Sequence, residues 1–343
     1  MPKFIIQGGK DLSGAIRVAG SKNAVLPILS ATLLTQKECV IDNAPRILDV
    51  DNFLKILTGL GASVSRRGRT LKIASAKIKT PVPDKKLVSS MRASGLLLGA
   101  LLARSGRVKL AYPGGDLIGP RPIDVHLRGF QALGAKAIFR GQSIEVKGDL
   151  KGAGLYAESS VTGTENLILA AVAARGRTVI KLAAQEPHVG QLCHFLKKMG
   201  ARISGIGAHT IIIDGGKKLG GAKISVIPDM IEAGTFAILG AATKSRLLIE
   251  GVEHSHLDAV YGKLGEMGVN FEKRGSDLLI NRPRGPYRSA AVRTGLYPSL
   301  ATDLQPPFGV LATQARGKTL IHDWIWEGRL GYVSQLKKMG ADA

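Results

Sequence analysis

The sequence predicts an α/β protein in which helices packed on one another lie inside a layer of strands, an arrangement known as an inside-out barrel. Two observations support this prediction. Five helical patterns, each ending in a glycine and followed by a strand pattern, recur at near-constant spacing. Five other helical runs are rich in small apolar residues, and each precedes a strand rich in β-branched residues. We therefore expect a chain of repeated β-α-β-α-β-β units.

The glycine-terminated segments set the period of the repeat. They are LTGLGASV, QALGAKAI, LKKMGARI, LGEMGVNF and LKKMGADA, with their glycines at Gly61, Gly134, Gly200, Gly268 and Gly340, 66 to 73 residues apart. A period of this size indicates one supersecondary unit copied along the chain. In the third copy, Val189, Leu192 and Leu196 share one helical face. Gly200 is therefore expected to take the left-handed conformation that ends a helix.

The runs rich in small residues are expected to be the inner helices. They are KNAVLPILSATLL, MRASGLLLGALLAR, GTENLILAAVAAR, IEAGTFAILGAAT and TDLQPPFGVLATQAR. Small side chains allow helix backbones to approach closely. The strands that follow are ECVIDNA, GRVKLAYP, GRTVIKLAA, SRLLIEGV and GKTLIHDWI. We expect these strands to form the outer layer.

Polar and charged residues gather at the starts of these inner helices. They are Lys22 with Asn23, Arg92, Ser160 to Asn166, Asp229 with Glu232, and Asp303. A helix start exposes free N–H groups and a partial positive charge, so a cation there is unfavourable by ~0.3–1 kcal/mol. An anionic ligand bound between the cations would remove this penalty. Each residue taken singly is also compatible with an ordinary cap or a solvated cation.

The stretch Ala111 to Arg128, AYPGGDLIGPRPIDVHLR, combines three glycines with three prolines. Asp116 lies between two of the glycines, and Arg121 precedes a helical run. Glycine permits backbone angles closed to other residues and proline stiffens the chain. The stretch is therefore interpreted as a hinged lid that carries an acid and a cation. The alternative is a solvated surface turn, since such clusters mark loops of all kinds.

Composition limits the classes of protein to consider. The chain has 343 residues, 45% of them hydrophobic, which predicts about two globular domains. Its longest apolar run, Gly95 to Ala103, is far shorter than the ~20 residues that span a bilayer. The N-terminal sequence lacks the apolar segment of a signal peptide, so a cytoplasmic protein without membrane contact is expected. Cys39 and Cys193 are too few for a disulfide framework, and Cys193 is expected to be a small buried hydrophobe.

The formal net charge of +22 raises the question of a polyanionic partner. Nucleic acid is disfavoured because the basic residues form no dense tract and aromatic residues are scarce. A small phosphate-bearing substrate fits the charge equally well. His254 and His256 lack a third metal ligand at useful spacing, and no intact nucleotide-binding fingerprint is present. No metal or cofactor is expected.

Seven segments together resemble the enolpyruvyl transferase family, in the branch that acts on UDP-N-acetylglucosamine. They are GSKNAVLPIL at 20–29, VSSMRASGLLLG at 88–99, PGGDLIGPRPIDVHL at 113–127, SVTGTENLILAA at 160–171, IPDMIEAGTF at 227–236, YPSLATDLQPPF at 297–308 and WEGRL at 326–330. The segments span almost the whole chain. The shikimate-pathway branch typically has Ser where this sequence has Asn23, so the Asn favours the sugar enzyme.

The resemblance implies two inside-out barrel domains of three units each. Residues 20–230 would form the complete domain, with a mobile loop at 112–122, and residues 1–19 with 231–343 would form the second. Five units are counted where six are implied, so the second barrel is expected to be truncated. Residues 1–343 alone are then expected to turn over little or no substrate.

The resemblance also implies a reaction and its residues. The enolpyruvyl group of phosphoenolpyruvate would pass to the 3-hydroxyl of UDP-N-acetylglucosamine with release of phosphate, which is the first committed step of peptidoglycan synthesis and so serves cell shape and division. Asp116 would be the acid and Asp303 the base, and Lys22, Arg92 and Arg121 would hold phosphate and carboxylate groups. The substrate-binding set would be Lys22, Asn23, Arg92, Arg121, Pro122, Ile123, Asp124, Val125, Ser160, Val161, Thr162, Gly163, Asp303, Ile325 and Arg329.

One departure from the family pattern lies in the predicted lid, where most members have Cys at the position of Asp116. A carboxyl group can donate a proton, so this change leaves the predicted reaction possible. Two other functions stay open at this point. One is an inactive homologue that binds the UDP-sugar without turnover, and the other is the shikimate-pathway enolpyruvyl transferase.

Overall fold

The computed structural model describes Lys3, residues 5–115 and residues 122–343, without the side chain of Arg140. The chain divides into two compact units. The larger unit is Ala19–Ile227, and the smaller unit combines Met1–Val18 with Pro228–Ala343. Asp116 and Arg121, the predicted acid and one of the predicted cations, lie outside the described residues.

The helices of both units can be given in chain order. In the described part of the chain the α-helices are α1 (Lys22–Ala31), α2 (Leu48–Leu60), α3 (Lys85–Ser89), α4 (Leu97–Ser105), α5 (Asp124–Ala132), α6 (Val161–Ala171), α7 (Pro187–Lys198), α8 (Met230–Ala242), α9 (Asp258–Glu266), α10 (Gln305–Ala312) and α11 (Tyr332–Lys338). Short 3-10 helices occupy Thr32–Leu34, Arg92–Leu96, His254–His256 and Thr302–Leu304.

The strands follow the same order. They are β1 (Ser13–Arg17), β2 (Glu38–Asp42), β3 (Ser63–Arg67), β4 (Thr70–Ala74), β5 (Arg107–Ala111), β6 (Lys136–Arg140), β7 (Ser143–Lys147), β8 (Gly154–Tyr156), β9 (Arg177–Lys181), β10 (Arg202–Ser204), β11 (Thr210–Asp214), β12 (Lys223–Ser225), β13 (Arg246–Glu250), β14 (Phe271–Arg274), β15 (Asp277–Ile280), β16 (Tyr287–Arg288), β17 (Ala291–Arg293), β18 (Ala315–Arg316) and β19 (Leu320–His322).

The three four-stranded sheets are mixed and share one pattern of connections, whereas the three-stranded sheet is antiparallel throughout. In the larger unit the strand orders are β12-β2-β4-β3, β8-β9-β11-β10 and β5-β7-β6, and in the smaller unit the order is β1-β13-β15-β14. In each four-stranded sheet the first strand runs parallel to the second, and the remaining neighbours are antiparallel. Two parallel pairs, β16-β18 and β17-β19, complete the smaller unit. The prediction of an α/β protein is confirmed.

The core of the larger unit contains helices that are buried on every side. All residues of α1 from Ala24 to Ala31 are buried, as are those of α6 from Gly163 to Ala171. Helices α4 and α6 pack closely, since a Cβ added at Gly99 would lie 2.4 Å from the carbonyl oxygen of Asn166. A helix without a polar face belongs to a protein interior. The small residues seen in the sequence thus permit the contact between these two helices.

Helix α8 and the residues leading into α10 form the centre of the smaller unit. A Cβ at Gly234 of α8 would lie 2.8 Å from a methyl carbon of Leu304, which is 2% exposed. Tyr287 of β16 is buried and donates its hydroxyl to the carbonyl of Ala241 at 2.8 Å. A bulkier residue at Gly234 would therefore push Leu304 out of the core.

The five glycines that set the period of the sequence pattern all have positive φ. The angles are 105° at Gly61, 95° at Gly134, 105° at Gly200, 78° at Gly268 and 91° at Gly340. Each of these glycines follows the end of a helix. Residues with a Cβ rarely adopt this conformation. The left-handed turn predicted for Gly200 is confirmed.

Both cysteines are buried and free, as expected for Cys193. Burial is the main cause that raises the pKa of Cys193 to about 12, so its thiol stays protonated at neutral pH. Within the described ranges, no helix combines the length and the apolar character needed to cross a bilayer.

Candidate active site

The start of α1 presents Lys22 and Asn23 at a free helix end. Ser21 caps the helix, because its Oγ accepts the N–H of Ala24 at 3.4 Å. Lys22 is half exposed, and its Nζ lies 3.9 Å from a carboxylate oxygen of Asp49 in α2. An exposed ion pair at this distance contributes little to stability. The ammonium group is therefore accessible to an anion at the positive end of the helix.

Arg92 begins a 3-10 helix in the same unit and contacts the segment that begins at Pro122. Its Nη2 donates to the carbonyl of Pro122 at 3.4 Å. This 3-10 helix also packs against α1. Ile123 is buried, whereas Asp124 begins α5 and pairs with Arg128 at 2.6 Å. The structure thus joins two of the predicted binding segments through one guanidinium group.

The segment Ser160–Gly163 forms the capped start of α6. The Oγ of Ser160 accepts the N–H of Gly163 at 3.2 Å, and the preceding Glu158 and Ser159 both have positive φ. A Cβ at Gly163 would lie 2.8 Å from Ser160 Oγ and 3.1 Å from a methyl carbon of Val125. Only glycine fits between these groups. The predicted segments 122–125 and 160–163 therefore touch at this point.

The first N–H groups of α6 belong to Val161 and Thr162, both of which are partly exposed. Such groups have no acceptor within their own helix. Together with the helix dipole they form a favourable place for a phosphate. The resemblance implies that this segment lines the UDP-sugar site, and that role stays a prediction.

A buried hydrogen-bond network below these segments joins α4, α5 and α6. The Asn166 Oδ1 accepts the N–H of Gly99 at 2.8 Å, while its Nδ2 donates to the carbonyl of Gly95 at 2.9 Å and to Nδ1 of His126 at 2.8 Å. Because Nδ2 is a donor, Nδ1 of His126 must be the unprotonated nitrogen. The network fixes His126 as a neutral imidazole. Sequence reasoning assigned no role to His126.

Burial is the main cause that lowers the pKa of His126 to about 4, and the positive charge of Arg92 acts in the same direction. The nearby carboxylate of Asp124 acts in the opposite direction. His126 lies two residues after Asp124 in the predicted binding segment. Its protonation would therefore disturb the floor of the candidate site.

The depressed pKa of His126 predicts a loss of stability in acid. Between pH 6.5 and about 4 the unfolded chain binds a proton that the folded chain does not. The stabilising contribution is thus present above pH 6.5 and is lost as the pH falls, by about 3 kcal/mol in the free energy of unfolding. Urea unfolding at pH 7 and pH 4.5 would measure this change.

The variant His126→Gln should show a smaller decrease over the same pH interval, because Gln does not titrate. The exposed His209 provides the control, and His209→Gln should keep the wild-type pH dependence. Equal pH dependence in wild type and His126→Gln would contradict the assignment.

Two further polar side chains of α6 are buried beside Asn166. Thr164 accepts the N–H of Ala184 on its Oγ1 at 3.0 Å. Glu165 is 2% exposed, and its pKa is raised well above the usual value by burial first and by the negative charge of Glu186 second. Burial therefore disfavours the charged form of Glu165. Thr164 and Asn166 thus connect α6 to its surroundings, whereas Oε1 of Glu165 is buried without a hydrogen-bond partner among the described residues.

In the smaller unit, Asp303 and Arg329 form an ion pair. The Nη2 of Arg329 lies 2.5 Å from Oδ1 of Asp303, and the Arg329 side chain is 13% exposed while that of Asp303 is 50% exposed. The contact orients the carboxylate and leaves part of it open to solvent. In the same stretch of sequence, the N–H of Ile325 donates a hydrogen bond to Oδ1 of Asp323 at 3.0 Å. Asp303, Ile325 and Arg329 were predicted as binding residues from the sequence, but the ion pair between Asp303 and Arg329 was not predicted.

Asp229 was predicted to be one of the groups at a helix start, and the structure shows it as the cap of α8. Its Oδ1 accepts the N–H groups of Ile231 at 2.9 Å and Glu232 at 3.1 Å. These are the ordinary contacts of an N-cap aspartate. Glu232 lies in the first turn of the same helix.

The histidine pair of the smaller unit has ordinary partners on one side and a cavity on the other. His254 contacts the hydroxyl of Tyr261 at 2.5 Å and the carbonyl of Gly275 at 2.9 Å. Nδ1 of His256 is buried without a hydrogen-bond partner and lines a cavity of about 50 Å³ together with Leu304. Across the described residues, no three His, Cys, Asp or Glu side chains are placed to hold a metal ion.

Comparison with known proteins shows which family shares these features. The family model for EPSP synthase (3-phosphoshikimate 1-carboxyvinyltransferase) matches residues 6–343. The chain is 43% identical over 346 residues to the UDP-N-acetylglucosamine 1-carboxyvinyltransferase of Methylacidiphilum infernorum, covering 99% of this chain and 82% of that protein. It is 42% identical over 348 residues to the protein of the same name from Acidobacterium capsulatum, covering 100% and 80%.

Solved structures share the fold. The enolpyruvyl transferase NikO from Streptomyces tendae superposes with a TM-score of 0.88 at 22% identity, covering 97% of this chain and 80% of that chain. EPSP synthase from Acinetobacter baumannii gives a TM-score of 0.68 at 20% identity, covering 92% and 75%. The α/β fold with mixed sheets is therefore that of the enolpyruvyl transferases. With relatives at 42% and 43% identity over nearly its whole length, the chain belongs to the UDP-N-acetylglucosamine 1-carboxyvinyltransferase family, which confirms the resemblance seen in its motifs.

Proposed function

We propose that this protein transfers the enolpyruvyl group of phosphoenolpyruvate to the 3-hydroxyl of UDP-N-acetylglucosamine and releases phosphate. This reaction is the first committed step of peptidoglycan synthesis. The observation that carries the proposal is the identity of 42% and 43% to proteins named for this activity, over nearly the whole chain. The geometry supports it, since Lys22, Arg92 and the start of α6 offer positive charge and free N–H groups in one unit.

The chemistry assigns a role to each group. Phosphoenolpyruvate becomes electrophilic at C2 when C3 is protonated, and Asp116 would supply that proton. Asp303 would accept the proton of the sugar hydroxyl as its oxygen bonds to C2. Loss of phosphate and of a C3 proton then restores the double bond. Lys22 and Arg121 would stabilise the departing phosphate.

The proposed binding groups can be given for each compact unit by itself. Asn23, Arg92, residues 122–125 and residues 160–163 belong to the larger unit, and Asp303, Ile325 and Arg329 belong to the smaller. We propose that these groups bind the phosphates and the sugar. Partial exposure of Asn23, Val161 and Thr162 supports contact with a ligand.

We further propose two inside-out barrel domains, residues 20–230 and residues 1–19 with 231–343. The two compact units divide at residues 18/19 and 227/228, close to the proposed domain boundaries, and this agreement supports them. The shared strand order of the four-stranded sheets supports a repeated β-α-β-α-β-β unit. The burial of α1 and α6 on every side supports inner helices.

The protein produced from its complete gene should release phosphate from phosphoenolpyruvate when UDP-N-acetylglucosamine is present. Mass spectrometry should show one enolpyruvyl group added to the UDP-sugar for each phosphate released. The same assay with shikimate 3-phosphate tests the second candidate, which the description of the matching family model favours. Phosphate release only with shikimate 3-phosphate would reassign the function, and binding of the UDP-sugar without phosphate release would identify an inactive homologue.

A further inference from the structure

A single carboxylate holds the segment that follows β19. The Oδ1 of Asp323 accepts the N–H of Ile325 at 3.0 Å and the N–H of Trp326 at 3.3 Å. Its Oδ2 accepts the hydroxyl of Thr302 in a short hydrogen bond. No helix or strand covers residues 323–329, so these contacts replace the hydrogen bonds of regular structure. Asp323 therefore determines the path of the main chain at Ile325.

The same segment has a second connection to the turn that carries Asp303. Thr302 precedes Asp303 in one 3-10 helix, and Arg329 pairs with Asp303 at 2.5 Å. Two carboxylates thus join the segments in opposite directions. The carboxylate of Asp323 accepts the hydroxyl of Thr302. The carboxylate of Asp303 binds the guanidinium of Arg329. Movement of either segment would strain both contacts.

We infer that Asp323 is a positioning residue for the sugar acceptor, because it fixes the main chain of Ile325 and, through Thr302, the carboxylate of Asp303. This inference rests on the proposed function, in which Asp303 and Ile325 contact the sugar. A general base must lie within hydrogen-bond reach of the hydroxyl that it deprotonates. A displacement of about 1 Å in such a group can lower the rate by about 10²-fold. Asp323 acts through its neighbours and does not need to touch the substrate.

The test compares variants that remove the contacts one at a time. Asp323→Ala removes all three hydrogen bonds and should raise the KM for UDP-N-acetylglucosamine by about 10-fold and lower kcat by about 10²-fold. The KM for phosphoenolpyruvate should change by less than about 2-fold. Thr302→Val removes only the contact to the turn, so its defect should be smaller. In the double variant, Thr302→Val should add nothing to Asp323→Ala.

Asp323→Asn separates positioning from folding. The amide oxygen of Asn can still accept the two backbone N–H groups, and its NH₂ group can donate to the Thr302 hydroxyl oxygen. This variant should recover most of the activity lost in Asp323→Ala. The control is Asp277→Ala, because Asp277 accepts the N–H of Gly251 at 2.9 Å in the same unit. It should leave both KM values unchanged.

The outcomes separate this inference from the proposed function. Wild-type protein that neither binds nor converts UDP-N-acetylglucosamine overturns both. Active wild type with unchanged kinetics in Asp323→Ala overturns the positioning role alone. Equal losses for both substrates, with loss of the amide-exchange protection of Gly251 as well as Ile325, would show general unfolding of the unit and would also overturn it.

Discussion

Lys22→Ala should lower the rate of enolpyruvyl transfer by about 10²–10³-fold, equivalent to about 3–4 kcal/mol of transition-state stabilisation. The ammonium group lies at the positive end of α1 and is half exposed. Its Nζ lies 3.9 Å from a carboxylate oxygen of Asp49. Charge that develops on the departing phosphate would therefore be stabilised by Lys22. Steady-state phosphate release with both substrates at saturation measures the effect.

The matched control is Lys55→Ala, which removes the same charge from an exposed position of α2. It should retain wild-type activity. Circular dichroism should show an unchanged fold in both variants, because both side chains lie at exposed positions of their helices. Normal turnover by Lys22→Ala would show that the cation is dispensable and that the start of α1 is not the phosphate site.

Local features of the fold could be predicted from the sequence because they depend on neighbouring residues. A glycine directly after a helical pattern predicts a left-handed turn, and Gly61, Gly134 and Gly200 all adopt it. Ser160 before an apolar run predicts a helix cap, and its Oγ makes that contact. Runs of small apolar residues predict buried helices, and α6 is buried on every side. These signals lie within one or two helical turns.

Contacts between distant parts of the chain could not be predicted in this way. Asn166 bonds to His126, 40 residues away, and to Gly95, 71 residues away. A buried Asn and a His in a helical pattern have many possible partners, and only the packing of α4, α5 and α6 selects these. The positions of both residues inside matched segments gave a weak signal that they mattered.

The contacts around Asp303 illustrate the same limit in a loop. The resemblance pointed to Asp303, Ile325 and Arg329 as separate binding residues. Their mutual arrangement depends on Asp323, whose sequence context HDWIWEGR gives no sign of a bond to Thr302. The local sequence pattern indicates only that the chain leaves a strand here. The side-chain partner of Asp323 depends on tertiary packing against the turn at residues 302–304.

Asn166→Ala should lower the free energy of unfolding of the protein by about 3–5 kcal/mol. The substitution removes three buried hydrogen bonds at once, and each polar group left without a partner costs about 1–3 kcal/mol. The N–H of Gly99 loses its side-chain acceptor, and Nδ1 of His126 loses its donor. A cavity at the contact between α4 and α6 adds to the loss. Urea unfolding followed by fluorescence or circular dichroism would measure it.

The comparison with Asn52→Ala tests whether this loss comes from the network and not from the change of Asn to Ala itself. Asn52 lies half buried on α2, and no side-chain hydrogen bond joins it to the described residues. Its replacement should change the unfolding free energy by no more than about 0.5 kcal/mol. Asn166→Leu provides a second comparison, because Leu refills the volume but leaves the same polar groups unpaired, so it should remain strongly destabilised. If Asn166→Leu were as stable as wild type, packing of α4 on α6 would be sufficient, and the hydrogen bonds of Asn166 would contribute nothing to holding His126 below the candidate site.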